Sequence, residues 1–465
     1  MDARSLNWIA AACDGELLAG SPQTLVRRVC SDSRLVQPGD LFFALSGERF
    51  DGHAFVAEAA AKGAAAVVVA RGPSLESVSN CALVRVQDTR QALGRLAARY
   101  RQEFSLPVVA VAGSNGKTTT KELLASVLRQ KYPTLSSEGS FNNEIGVPLT
   151  LLRLESAHQA AVLEAGTNHP GELAPLLKII APSLGVLTSI GREHLEFFGD
   201  LPGVAQEEGW LAEMLPAEGT LFINGDCPWA GLIARRARAR LVRVGFTKTN
   251  EWRAANVRPD KQGVAFRVEG PRAEMTGDFR ISLLGRHQVL NALLAIALGG
   301  ELGLGRAEVS QGLAQCKAPR MRLQAWDYNG ISVLDDTYNA NADSMLAALE
   351  TLRELPCKGR RVAVLGDMAE LGAHSAAAHE EVGRRVAELG IEQLFAVGKM
   401  ASVLARGARG AGLNRVLEFA DVEGTGLALK QFLKSGDLLL LKASRAARLE
   451  RIAQMLRGDD PTKRN

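Results

Sequence analysis

Sixteen residues constrain this chain more than any others: Pro107 to Glu122, reading P-V-V-A-V-A-G-S-N-G-K-T-T-T-K-E. Val108 to Ala112 are apolar and β-branched, which predicts a buried strand, and from Thr118 onward Lys121, Glu122, Leu123 and Leu124 favour a helix. The turn between them holds Gly113 and Gly116, followed by Lys117. A strand feeding such a turn into a helix N-terminus makes a cradle for phosphate. Glycine lets backbone N–H groups face an anion, the helix dipole favours negative charge there, and the lysine adds a point charge. Thr118 stands where a hydroxyl reaches a phosphate-bound Mg²⁺. The common form of this motif has a glycine five residues before Gly116, where this chain has Val111, so the loop is a shortened Gly-x-x-Gly-Lys-Thr-Thr variant.

Length then sets how much surrounds that loop. At about 150 residues per domain, 465 residues predict three domains. Apolar residues make up 46% and charged residues 23%, enough for a large core without disulfide staples. The cysteines (Cys13, Cys30, Cys81, Cys227, Cys316 and Cys357) are scattered without a C-x-x-C pair or metal spacing, as expected of buried reduced thiols in a cytosolic protein. The start, M-D-A-R-S-L-N-W, has no long apolar stretch, and no later run approaches the roughly 18 residues of a membrane span. A cytoplasmic location without a membrane span is therefore expected. A net charge of +4 gives no reason to expect a nucleic-acid partner. The one dense basic run, Arg235 to Arg240, alternates with alanine and predicts a solvated helix face. The tail after Arg457 is expected to fray.

Taken in order, residues 1–105 form a unit of their own. A turn at Pro38-Gly39-Asp40 precedes an expected strand over 41–45, then a helix over 56–62 and a strand over 65–69, giving a small α/β domain. Ser33, Arg34, Arg49 and Asp51 sit in loops beside these strands, where polar groups can meet a ligand or simply make turns. Residues 106–316 form the nucleotide unit. Its segment from Leu135 to Pro148, with Asn142 and Asn143, is more polar than a plain connection needs. A strand over 160–163 ends at Glu164, where a Mg²⁺ ligand belongs in a phosphate-loop domain. Another strand, over 184–188, runs into S-I-G-R-E-H, placing His194 on the same carboxyl edge of the sheet. Lys261 to Phe279 alternates like antiparallel strands. Residues 317–465 return to strand–helix alternation, with strands over 331–334, 361–365, 393–397 and 437–441, a Rossmann-like layer without G-x-G-x-x-G.

The segments A-G-S-N-G-K-T-T-T-K-E, F-N-N-E-I-G-V-P, E-A-G-T-N-H-P-G-E, G-R-E-H-L-E, G-R-H-Q-V-L-N-A and D-D-T-Y-N-A-N, in this order, together resemble the Mur ligases of peptidoglycan synthesis. The likeness runs over essentially the whole chain, and the shortened phosphate loop is typical of these and of folylpolyglutamate-type amide ligases. D-D-T-Y-N-A-N-A-D-S-M (Asp335 to Met345) with L-G-D-M-A-E-L-G (Leu365 to Gly372) is most similar to the family member that joins D-alanyl-D-alanine to UDP-N-acetylmuramoyl-tripeptide. The D-N-P-R motif usual in the enzyme adding the third residue is absent.

The resemblance implies an α/β protein of three domains: one holding the uridine nucleotide, a central ATPase with a parallel sheet, and a last domain bringing the dipeptide. It implies ATP and two Mg²⁺ ions as cofactors, and a monomer is expected. On this reading Gly113, Ser114, Asn115, Gly116, Lys117, Thr118 and Thr119 bind ATP. Thr118 and Glu164 hold one Mg²⁺ and His194 a second. His287 and Asn291 lie near the adenine, and Arg322 reaches the phosphates. Ser33 and Arg34 contact the uridine diphosphate, while Asp336, Tyr338, Asn339 and Lys442 face the reacting centre or the dipeptide.

Two departures from the family stand out. Many Mur ligases carry, 14 residues after this histidine, a lysine that is carbamylated and supports the second Mg²⁺; here that position is Glu208. The expectation is that glutamate supplies the carboxylate directly; a solvated helix face of Gln206, Glu207 and Glu208 is the alternative. Lys442-Ala443-Ser444-Arg445 has alanine where relatives usually have glycine. A different amide ligase on the same scaffold, and a non-enzymatic nucleotide switch, are the rival classes.

Overall fold

The computed structural model describes residues 1–47, 50–70 and 80–458. Arg49 and the tail beyond 458 lie outside these residues.

Besides a two-stranded antiparallel pair, Arg4–Ser5 with Leu25–Val26, three larger sheets follow one another along the chain. The first has five strands in the order Glu16–Ala19, Ala82–Arg85, Ala66–Val69, Leu41–Phe43, Val29–Cys30, parallel except for the outermost Glu16–Ala19. Every side chain of Ala66–Val69 is buried, as a run of alanine and valines covered on both faces requires. The helix expected over 56–62 spans Val56–Ala61, and a longer one, Thr89–Arg101, leads toward the second unit.

The central sheet has nine strands. Seven lie parallel, in the order Thr134–Ser136, Ala160–Glu164, Val108–Ala112, Leu184–Leu187, Thr220–Asn224, Arg240–Gly245, Trp252–Asp260. Gly263–Glu269 and Gly277–Ile281 continue it as antiparallel strands, where alternation of apolar and polar residues foretold them. All five residues of Val108–Ala112 are buried, and the helix Lys117–Leu128 packs over it with the strongly apolar helix Gln288–Glu301.

The third sheet has six strands, with Gln324–Tyr328 antiparallel to Ile331–Asp336 and then Leu438–Lys442, Arg361–Leu365, Gln393–Val397 and Val416–Phe419 in parallel. Helices cover both of its faces in two separate apolar clusters.

The basic run is not a helix face. The helix Ala230–Ala234 stops before it, and Arg240 opens the strand Arg240–Gly245. Arg236 lies over the Trp210 ring and pairs with Glu213 at 3.0 Å, and Arg240 pairs with Glu301 at 2.6 Å, so each takes a fixed partner instead of repeating along a helix. None of the six cysteines is in a disulfide. Among the described residues no helix is long and apolar enough to cross a membrane.

Candidate active site

Strand Val108–Ala112 lies between Ala160–Glu164 and Leu184–Leu187; the chain leaves it toward Thr134–Ser136 on one side, whereas it leaves the adjacent Leu184–Leu187 toward Thr220–Asn224 on the other. At such a reversal the carboxyl ends of the strands open a crevice. The loop leaving Val108–Ala112 fills it. Gly113 (φ +114°) and Gly116 (φ +88°) hold left-handed backbone, and both are crowded. A Cβ at Gly113 would lie 2.5 Å from Thr188 Oγ1, and one at Gly116 would lie 2.6 Å from Asn291 Oδ1. The loop is pinned to the neighbouring strand end: Ser114 N–H donates to Ser189 O at 2.8 Å, Asn115 N–H to Ser189 Oγ at 3.1 Å, and Gly191 N–H to Ser114 Oγ at 2.8 Å.

Lys117 opens the following helix and turns back over the loop, donating to Gly113 O at 2.5 Å and pairing with Glu193 at 3.3 Å. Three carboxylates face this one ammonium. Glu164 ends its strand, Glu193 follows Leu184–Leu187, and Glu208 comes from the helix Leu201–Glu208 to accept the Gly113 N–H at 2.6 Å. Burial works to discharge Lys117, but Glu193, Glu208 and Glu164 outweigh it and raise its pKa, so the ammonium stays charged. Burial pushes the Glu208 carboxyl up to about 8; Lys117 opposes the rise, Glu193 adds to it, and the Gly113 N–H opposes it. Glu208 is fully buried and Glu207 nearly so, donated to by Gly171 and Leu173 N–H, which excludes a solvated helix face.

The side chains here fit a cation-bearing anionic ligand. Thr118 Oγ1, Glu164 Oε2, Glu193 Oε1 and Glu208 Oε1 are buried with no hydrogen-bond partner. Orphaned oxygens of this kind are costly unless something fills their need. Among the described residues no group of three or more His, Cys, Asp or Glu forms a metal cage. Mg²⁺ takes one or two carboxylates and draws its other ligands from hydroxyls, phosphate and water, and the unpartnered Thr118 Oγ1 and Glu164 Oε2 are ligand oxygens of that kind.

The opposite wall belongs to the third sheet. His194 holds a left-handed backbone (φ +46°), rare outside glycine, and its Nδ1 meets the Glu370 carboxylate across the cleft. The guanidinium of Arg322 lies 4.2 Å from the Tyr338 ring centre, and the Tyr338 hydroxyl meets Ser140 Oγ of the central unit. Lys442 pairs with Asp336 at 2.5 Å and donates to Asn339 O at 3.1 Å. His287, kept neutral by burial with its pKa pushed down to about 4, lies nearby with Asn291, which donates to Gln288 at 2.8 Å. Between the two walls is a cavity of about 1780 Å³. A single small ligand needs about 300–1,000 Å³, so this space admits a nucleotide and a second reactant together.

The family profile described as the Mur ligase middle domain matches residues 111–299, the Mur ligase glutamate ligase domain residues 320–445, and the Mur ligase family catalytic domain residues 26–101. The UDP-N-acetylmuramoyl-tripeptide–D-alanyl-D-alanine ligase of Escherichia coli (strain K12) is 38% identical over 97% of this chain and 98% of its own length. The chain belongs to the Mur ligase family. It is thereby an ATP-dependent ligase. A solved structure of MurF from Acinetobacter baumannii superposes with a TM-score of 0.89 at 31% identity, covering 98% of this chain and 99% of that one. The MurF ligase of Thermotoga maritima in complex with ADP gives a TM-score of 0.81 at 28% identity, over 93% and 98%.

In this Mur ligase Asn142, Asn143, His287, Asn291, Arg322, Asp336, Tyr338, Asn339 and Lys442 all line the cavity with the phosphate loop. Asn142 spends its amide on Glu164 Oε1 (2.8 Å), and Asn143 Oδ1 accepts the Gly146 N–H (2.9 Å) at the start of a helix. Ser33, Arg34 and Asp51 stand apart, in the loops of the first sheet. Ser33 is buried, Arg34 is exposed and paired with Asp32 at 2.6 Å, and Asp51 accepts from Ser46 Oγ at 2.9 Å. Sequence reasoning passed over Glu193, although it sits inside the G-R-E-H segment. Its signal was an acidic residue directly before the histidine at a strand's carboxyl edge. Arg192 was also missed: it pairs with Asp343 at 2.7 Å and Glu381 at 2.5 Å, residues that only the fold brings near.

Proposed function

We propose that this Mur ligase joins D-alanyl-D-alanine to UDP-N-acetylmuramoyl-tripeptide, with ATP spent to ADP and phosphate. The near full-length relatives that carry this name support the choice of substrates. The observation that carries the chemistry is one charged lysine on a phosphate loop, facing three carboxylates with unpartnered oxygens. A carboxylate is a poor electrophile. The tripeptide's terminal carboxylate therefore takes the γ-phosphoryl of ATP and becomes an acyl phosphate as ADP departs. The dipeptide amine attacks the carbonyl carbon, loses a proton, and phosphate leaves with the electron pair of the broken C–O bond.

The chain's residues divide this work. The phosphate-loop amides and Lys117 hold the β- and γ-phosphates, and the lysine's charge stabilises the crowding of two anions. Thr118 and Glu164 would hold one Mg²⁺ and His194, backed by Glu208, a second, supplying the further positive charge that phosphoryl transfer needs. Arg322 reaches the same phosphates from the third sheet, and His287 and Asn291 border the base. Lys442, Asp336, Tyr338 and Asn339 orient the incoming dipeptide. Ser33 and Arg34 serve the uridine diphosphate in the first domain, so the three domains are the uridine-nucleotide, ATP and dipeptide units.

The test is ATP turnover with UDP-N-acetylmuramoyl-tripeptide, with and without D-alanyl-D-alanine. Little phosphate without the dipeptide and much with it is expected. Equal release with a γ-glutamyl acceptor of the folate type would move the assignment to the folylpolyglutamate class.

A further inference from the structure

Lys121 is fully buried, one turn beyond Lys117 in the helix Lys117–Leu128. A lysine away from water persists only when its charge and its three N–H groups are met. Here they are met in full: Nζ donates to Ser137 O at 2.7 Å and Gly139 O at 2.9 Å, and pairs with Glu122 at 2.6 Å. Both carbonyls belong to the segment after strand Thr134–Ser136, which then folds back over the end of Ala160–Glu164.

That segment decides how Glu164 presents itself. Ser137 Oγ accepts the Glu164 N–H at 3.2 Å, the Asn142 amide donates to Glu164 Oε1 at 2.8 Å, and Gly166 N–H donates to Asn142 O at 2.9 Å. One carboxylate oxygen is thereby occupied, and Oε2 is the one left without a partner, in a residue that lines the cavity. The same segment carries Ser140, which meets Tyr338 of the opposite wall. The loop has little apolar anchorage of its own: Phe141 is half exposed, and nothing lies within 4 Å of a Cβ placed at Gly139.

We propose that Lys121 is a positioning residue that ties the segment 137–142 to the phosphate-loop helix, so that Glu164 turns its free oxygen, and Ser140 its hydroxyl, into the cleft. The proposal rests on the ligase reading for its kinetic consequence but not for its structural one. A lysine that merely stabilised the core would act on the whole central unit; this one acts on a single loop. A second-layer group that orients a ligand-bearing carboxylate commonly matters by one to two powers of ten.

The test combines hydrogen–deuterium exchange with kinetics on Lys121→Met in the full chain. Without any ligand, amides in 137–143 should exchange about tenfold faster or more, while the rest of the central sheet keeps its protection. With substrates, kcat should fall about tenfold or more and KM for ATP should move less than threefold, because the phosphate loop is untouched. Unchanged exchange in 137–143 overturns the proposal, as does faster exchange throughout the central unit. If the methionine variant does not fold, Lys121→Gln, which keeps an amide donor for the carbonyls, is read by the same criteria. Failure of both to fold makes Lys121 a core residue and overturns the proposal. Because exchange is read without substrate, a wrong substrate assignment alters only the kinetic arm.

Discussion

The two walls of the cleft are built on different physical terms. The central wall is a set of strand ends locked by backbone hydrogen bonds, with Lys117, Glu193 and Glu208 almost out of water and four oxygens unpartnered. The facing wall consists of side chains that already have partners: Lys442 with Asp336 and Arg322 over Tyr338 within it, and Asp343 and Glu381 on Arg192 of the central wall. A site that must bind a triphosphate tightly profits from charges that are fixed and unsatisfied beforehand, because nothing is reorganised when the ligand arrives. Where the walls meet, the partly exposed pairs of Arg192 with Asp343 and Glu381 can break at small cost, whereas the buried Lys442–Asp336 pair is costly to break. Under the proposed function, the central wall carries the chemistry and the facing wall, by meeting it, sets when the chemistry happens.

Lys117→Ala should give the largest effect. It removes the one ammonium among three carboxylates, and loss of such an electrostatic element lowers kcat by about 10²–10³-fold or more. Phosphate release under saturating substrates measures it. Coupling at the parent rate would place the chemistry somewhere other than the central wall.

Glu208 tests whether that wall really is short of positive charge before its ligand arrives. Its carboxyl titrates near 8 in the folded protein against an ordinary value of 4.5, first because of burial. Between those values the folded protein keeps a proton that the unfolded chain has lost. The unliganded protein is therefore relatively stable at the acid end of this window and loses stability as pH rises toward 8. Glu208→Gln, neutral throughout, should melt close to the parent at pH 5 and a few degrees above it at pH 8.5. Parallel melting curves would mean that Glu208 is ionised throughout. If the glutamate supports the second Mg²⁺, the same variant should need more magnesium for half-maximal turnover.

How much of this was readable in advance follows the same division. Gly113 to Thr119 are consecutive, and Glu164 and His194 each follow an apolar strand, so the central wall could be read along the chain. The parallel order of Val108–Ala112, Ala160–Glu164 and Leu184–Leu187 then brought them to one edge. Partners that depend on the chain returning from afar were not readable. Arg192 is 151 residues from Asp343 and 189 from Glu381, and no local pattern couples them. Lys121 looked like any lysine in an amphipathic helix, since its burial depends on a loop that begins 16 residues later. In the third sheet the two edge strands Gln324–Tyr328 and Val416–Phe419 both escaped notice, because the first has no fully buried residue and the second only one, so neither shows an apolar run. The arginine–alanine run misled because its spacing suits a helix, whereas Trp210 and Glu213 hold Arg236 and Glu301 holds Arg240.

On the facing wall, Lys442→Met should act through the dipeptide. Lys442 is nearly buried, and its loss leaves the largely buried Asp336 with only the Leu323 N–H at 3.1 Å. An unpaired buried carboxylate is strongly unfavourable, so it recruits a proton or moves. We expect KM for D-alanyl-D-alanine to rise about tenfold or more, with KM for ATP changed far less. Beside burial, Lys442 lowers the His287 pKa and Asp336 raises it by more, so His287 should titrate higher in this variant where Asp336 moves but stays charged, and lower where Asp336 takes up a proton, which an NMR titration distinguishes. Equal changes in both Michaelis constants would erase the distinction between the walls.

The smallest effect is expected where the walls touch. Arg192 donates from Nε to Asp343 Oδ1 at 2.8 Å and from its backbone to Oδ2 at 2.7 Å, and its guanidinium reaches Glu381 at 2.5 Å. Asn341, two residues before Asp343, donates to the phosphate-loop residue Asn115 at 3.0 Å, so this contact lies beside the nucleotide. The paired side chains of Arg192, Asp343 and Glu381 remain 26%, 36% and 33% exposed, which limits each pair to about 0.2–1 kcal/mol. A double-mutant cycle of Arg192→Ala and Asp343→Ala should thus give a coupling of about 1 kcal/mol in kcat/KM for the dipeptide, with almost none in ATP affinity. Coupling that appears equally in ATP affinity would mean that the contact belongs to the fixed wall. Strict additivity would mean that the two walls meet without holding one another, and closure would then depend on the bound reactants alone.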